Sequence, residues 1–169
     1  EGLDLNYSSV AFYKNAYNIL AILLLPYFGG LLGNLDPRKF SVLTYSSIFL
    51  YIFFLMLTIW IPVYTEIAGI KLYYVLICYI LAHGVFAATM VLLWNIGSAY
   101  FCRAEEAGTY QSVHLFLTGF RALFAPTLGV FFYEKFGLIT TFTVALVSLA
   151  IAIGVNVWSY QNEKKIPAV

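Results

Sequence analysis

Charge is scarce in this chain. Only 10% of the 169 residues are Asp, Glu, Lys or Arg, against about 25% in a soluble domain. With 62% hydrophobic residues and a mean hydropathy of +0.86, the solvent of most of this surface is lipid. Net charge is +1, so no basic balance points to nucleic acid. Cysteine is nearly absent. Cys78 and Cys102 stand on one expected helix, roughly 36 Å apart if it is continuous, and bridging needs less than about 7 Å. No zinc spacing is present, and no metal or cofactor is expected. The motifs of catalysis are missing too: no Gly-x-Ser-x-Gly, no His-Glu-x-x-His, no phosphate loop and no carboxylate pair inside an apolar run. Glu105 and Glu106 are adjacent and point apart on a helix. These absences argue against an enzyme.

Long apolar runs are what the chain has instead. A membrane helix needs about 20 such residues. The runs predict an all-α membrane protein, a bundle of five transmembrane helices over about 13–35, 40–63, 72–101, 110–133 and 138–160. Pro26 should kink the first span. The third is longer than a bilayer needs, so it should project or break near Asn95-Ile96-Gly97-Ser98. Polar turns separate the spans: Asp36-Pro37-Arg38-Lys39, Glu66 to Lys71 around Gly69, Arg103 to Thr109, and Glu134-Lys135-Phe136-Gly137. Gly29 with Gly33, Gly84 with Ala88, and Ala150 with Gly154 are one turn apart, a spacing that lets helices approach closely. The opening Glu1-Gly2-Leu3-Asp4-Leu5 has no methionine and no signal core, and reads like the middle of a longer protein.

Five spans place Arg38, Lys39, Arg103, Lys164 and Lys165 on one side, and Lys14, Lys71 and Lys135 on the other. The positive-inside rule then puts the N-terminus out and the C-terminus in.

Three polar groups within the spans are candidates for substrate or coupling roles: Arg121, His83 and Asn95. An arginine at a helix centre costs about 2.5–3.5 kcal/mol on insertion scales and cannot shed its charge. Arg121 shares a helix face with His114, Thr118, Ala125 and Leu128. It either lines a transport path or ties helix ends together through Glu105 or Glu106. His83 is either a hydrogen-bonded core residue or a proton carrier. Asn95 and Trp94 either contact substrate or cap and anchor a helix end.

Gly30-x-x-x-Asn34-x-x-x-Arg38-Lys39 resembles the signature loop of the major facilitator superfamily. That pattern is a glycine, an acid four later, an arginine, then a glycine and two basic residues. The first glycine and the basic pair are kept, with Asn34, Leu35 and Pro37 at the changed positions. Gly119-Phe120-Arg121 followed by Pro126-x-x-Gly129 is similar to the eleventh helix of many bacterial members. The resemblance implies a partial major facilitator fold, the eighth to twelfth helices, in the bacterial inner (plasma) membrane. It also implies a secondary transporter of a small solute, two halves rocking about a central site. The partners would be the lipid bilayer, the small-molecule substrate and the missing N-terminal half of the same transporter. Gly30, Asn34, Asp36, Arg38 and Lys39 would form part of an inner gate, and Pro126 and Gly129 would let a helix bend. Two other readings stand beside it: an autonomous five-span subunit with an assembly or regulatory role, and a membrane enzyme using His83 or Arg121.

Overall fold

The computed structural model describes residues 3, 5–96 and 102–163. Among them, four helices are long and apolar enough to cross a membrane. α1 runs Tyr7–Asn34, α2 Pro37–Trp60, α3 Tyr74–Ile96 and α4 Ala107–Glu163. The ends of the expected third span (97–101) and the basic tail at Lys164 and Lys165 lie outside the described residues, as do Glu1, Gly2 and Asp4. The expected break near Asn95 does not begin before Ile96, which is still helical.

Local chemistry sets the helix ends. The Asn6 side chain accepts from the Ser9 amide at 2.9 Å and starts α1. α1 continues through Pro26. It stops at Asn34 because Leu35 is extended. Asp36 does more than end a helix: its Oδ1 accepts from the Arg38 amide at 2.8 Å and caps α2, with Pro37 at the first turn.

α1, α2 and α3 form a bundle around two small cores. One joins Ala21, Phe28, Leu32, Phe40 and Ala88. It puts the C-terminal parts of α1 and α3 beside the start of α2. The other, at the opposite end, joins Tyr13, Tyr73 and Leu76. The close approach of α1 and α3 is at Gly84, where an added Cβ would lie 2.6 Å from Leu20 Cδ2. Among the described residues, Gly29, Gly33 and Gly154 meet nothing within 4 Å of an added Cβ, so no helix of this chain approaches closely there. Phe28 and Leu32 point into the core, and the glycines beside them turn away. The buried hydroxyls of Thr44, Thr58 and Thr89 donate to the carbonyls of Phe40, Phe54 and Val85 on their own helices. That satisfies them where no water competes.

The all-α expectation needs one correction. The connection after α2 is a β-hairpin, β1 (Tyr64–Ile67) antiparallel to β2 (Ile70–Tyr73). Ala68 and Gly69 turn it with φ of 52° and 76°, the positive-φ pair of a tight hairpin. α1 holds this hairpin by polar contacts. Asn6 Nδ2 donates to Gly69 O at 2.8 Å, and the Lys71 amide donates to Ser9 Oγ at 2.9 Å. Tyr13 Oη donates to Lys71 O at 3.0 Å and accepts from the Tyr73 amide at 2.7 Å. Replacing Tyr13 with Phe leaves that buried amide without its acceptor. We expect a loss of about 2 kcal/mol, read as a lower thermal midpoint in detergent and faster proteolysis within 64–73. An unchanged midpoint would mean that the hairpin is held by its strand pairing alone.

α4 would be about 85 Å long if straight, nearly three times the hydrocarbon thickness of about 30 Å. It is not straight. Gly137 has φ 79° and ψ 174°, outside the helical region. It divides α4 into two arms. The first arm begins beside the C-terminal end of α3, where Gln111 Nε2 donates to Trp94 O at 3.3 Å. In the second arm Leu138 and Phe142 share a small apolar cavity with Leu55 and Ile59 of α2. Further along, Val157 and Tyr160 lie with Lys39 and Val42. The second arm therefore runs antiparallel to α2.

Candidate functional site

His83 lies near the middle of α3, and three helices close around it. Its imidazole is stacked between Tyr17 of α1, at 3.7 Å and 11°, and Tyr51 of α2, at 4.5 Å and 13°. Tyr79 stands one turn earlier on α3, so its hydroxyl meets His83 Nδ1 at 2.8 Å. Tyr79 also presents its ring edge-on to Tyr17, Tyr51 and His83. Phe86 tilts against the same imidazole at 5.8 Å. The result is an aromatic box with an ionisable ring inside.

The box has a way out. A cleft of about 250 Å³ opens beside it, lined by Tyr17 and Tyr79 and, toward the hairpin end, by Tyr13 and Lys14. Tyr79 touches both the cleft and His83. A phenol can donate and accept, so Tyr79 can pass a proton between water in the cleft and the imidazole. The arrangement places an ionisable ring one tyrosine away from a cleft that opens on one side of the bundle.

A second cluster sits at the other end of α3. Trp94 is its centre. His114 meets the indole edge-on at 5.2 Å, and the Arg121 guanidinium lies 5.9 Å from its centroid. Helical side chains lean toward their own N-terminus, so Arg121 leans back toward Trp94 and toward the end of the bundle. The sequence placed His114 and Arg121 on one face, and both do reach Trp94. The expected tie from Arg121 to Glu105 or Glu106 is replaced by this cation–π contact.

The remaining candidates are scattered. Asn95 is exposed, and its amide donates to Val91 O at 2.7 Å on its own helix. It stands about 18 Å along α3 from His83. His83, Asn95 and Arg121 therefore do not share one pocket. In the loop, Asn34 Nδ2 donates back to Gly30 O at 2.9 Å, and Asp36 caps α2. Lys39 Nζ sits 4.7 Å above the Tyr160 ring, joining this loop to the end of α4. Pro126 and Gly129 lie in continuous helix on the exposed first arm. Cys78 and Cys102 form no disulfide. Among the described residues, no three His, Cys, Asp or Glu side chains gather as metal ligands.

Four helices among the described residues are long and apolar enough to cross a membrane, which is consistent with an integral membrane protein. Compared with known proteins, the chain matches no family, no curated protein and no solved structure.

Proposed function

We propose that this chain is the membrane-embedded helical part of a secondary transporter of a small solute, of major facilitator type, with His83 as its coupling group. The observation that carries the reading is the His83 box. Ionisable groups inside a membrane are expensive and mark substrate or proton paths. This one is held by aromatic residues from three helices and touches a cleft through Tyr79. Movement of one helix against the others would open or close the stack, which is the coupling that alternating access requires.

In this reading the chain crosses the bacterial inner membrane five times, the two arms of α4 each crossing once. The loop at 36–39, the turn at 103–106 and the end of α4 face the cytoplasm, while the hairpin and Gly137 face out. Single cysteines at Asp36, Glu66, Glu105 and Glu134, in a chain with Cys78 and Cys102 replaced by Ser, test this. An impermeant maleimide should label positions 66 and 134 from outside and positions 36 and 105 only after permeabilisation. Labelling of 134 together with 105 would reduce α4 to one crossing.

Function is tested in proteoliposomes made from the protein and its native membrane partners. They hold a pH dye and are pulsed with pools of sugars, amino acids, nucleosides or organic acids. One pool should drive proton movement, and His83→Phe should abolish it. No response to any pool would reject transport.

A second reading, an assembly or regulatory subunit, draws on the first arm of α4. There Phe116, Leu123 and Phe124 are 71%, 71% and 53% exposed, a surface suited to a partner helix. Co-purification of a stoichiometric membrane partner, without solute-driven proton movement, would favour it.

A further inference from the structure

The Trp94 cluster has a charge without a counter-charge. Among the described residues, Arg121 forms no ion pair; its guanidinium is held over the Trp94 indole. The carboxylates nearest along the chain are Glu106, in the turn just before α4 and about 22 Å back, and Glu134 on α4, about 20 Å ahead. Beside Arg121 on the same indole, His114 has a buried Nε2 with no hydrogen-bond partner. A planar guanidinium fork and an imidazole nitrogen on one indole are donors suited to an oxyanion. The charges around it nearly balance: Asp36 stands beside Arg38 and Lys39, and Glu105 and Glu106 follow Arg103, which leaves Arg121 as the cation without a nearby carboxylate. The first core places the C-terminal end of α3 beside the start of α2, so Arg38 and Lys39 lie at this end, and Arg103 precedes the first arm of α4. Tryptophan is the residue of the membrane interface, where phosphate groups are concentrated.

We propose that Arg121 and His114, gathered on Trp94, bind a phosphate-type oxyanion. Two sources carry that chemistry, the headgroup of an anionic phospholipid and a soluble phosphate. Binding neutralises a guanidinium that the fold leaves without a carboxylate. It also fixes the first arm of α4 against α3, which it meets at Gln111, His114 and Arg121. The site is separate from the His83 box and does not depend on whether the chain transports a solute.

The test uses the full chain in nanodiscs of equal parts phosphatidylglycerol and phosphatidylcholine, analysed by native mass spectrometry. Wild-type protein should retain phosphatidylglycerol in preference to phosphatidylcholine. Arg121→Gln should lower that occupancy about tenfold or more, the loss expected for charged hydrogen bonds. Arg121→Lys, which keeps the charge but not the fork, should fall between them and serves if the Gln variant does not fold. In phosphatidylcholine nanodiscs, inorganic phosphate is titrated against the thermal midpoint. A midpoint that rises in wild type and not in the variants, without lipid preference, assigns the site to a soluble oxyanion. The absence of both a lipid preference and a midpoint shift in wild type overturns the proposal. So does retention of phosphatidylglycerol that is equal in wild type and both variants.

Discussion

Replacing His83 with alanine should destabilise the bundle by about 3 kcal/mol, the lower end for truncating a buried aromatic side chain. The ring fills the space between Tyr17 and Tyr51, and neither tyrosine can close that gap without moving its helix. Tyr79 would also lose the partner of its hydroxyl, part of the same loss. Phenylalanine separates these effects. It keeps the stack, which is worth about 0.5–1.5 kcal/mol per aromatic pair, and loses only the bond to Tyr79. We expect His83→Phe to cost about 1 kcal/mol and still to lose solute-driven proton movement entirely. Thermal unfolding in detergent gives the first number and the dye-loaded proteoliposomes give the second. A phenylalanine variant that transports at the wild-type rate would make His83 a packing residue. Tyr79→Phe should leave the stack intact and slow proton exchange, because the imidazole then has no hydroxyl between it and the cleft.

The helices could be read from the sequence because each is written as an unbroken apolar run longer than a soluble helix needs. Gly137 was legible for the same reason: Glu134 and Lys135 interrupt two such runs, and the glycine carries the non-helical dihedrals. The hairpin was not legible. Its strands are four residues each, its turn is Ala68-Gly69 without the usual Asn-Gly signal, and it is held by side chains of α1 some 60 residues away in sequence. The face chosen by the glycines of α1 was also unreadable. Apolar residues run all round that helix, so periodicity does not say which side meets α3.

The His83 box shows the same limit. Tyr79 at i−4 was in plain view, and that spacing alone predicts the contact with Nδ1. Tyr17 and Tyr51 were two tyrosines among 14, and only the assembly of three helices selects them. For Arg121 the physical demand was legible, relief for a charge inside a span, but the two answers it suggested were a transport path or a tie to Glu105 or Glu106. The fold offers Trp94, because the side chain leans toward its helix N-terminus and α3 ends there.

Substituting Gly137 with valine should be the most disruptive change outside the cores. Its φ of 79° with ψ of 174° belongs to a region essentially reserved for glycine, and a residue with a Cβ there costs about 1–3 kcal/mol. Space is not the issue, since an added Cβ would meet nothing within 4 Å. The whole effect is backbone strain, at its largest for a β-branched residue. The chain can escape that strain by continuing the helix, but a rod of about 85 Å cannot lie across a hydrocarbon layer of about 30 Å. Continuing it would also pull Leu138 and Phe142 from Leu55 and Ile59, and Tyr160 from Lys39. A cysteine pair at Val42 and Val157, which line one small cavity, reports on this. It should cross-link in the Gly137 protein and fail to do so in Gly137→Val. Gly129 is the control. It also meets nothing within 4 Å but sits in ordinary helix, so Gly129→Ala should leave the cross-link intact and add about 0.5–1 kcal/mol of stability. The opposite signs are the point of the comparison. Equal cross-linking in Gly137→Val and wild type would mean that the second arm is held to α2 by its own contacts, and that Gly137 does not decide where the chain turns.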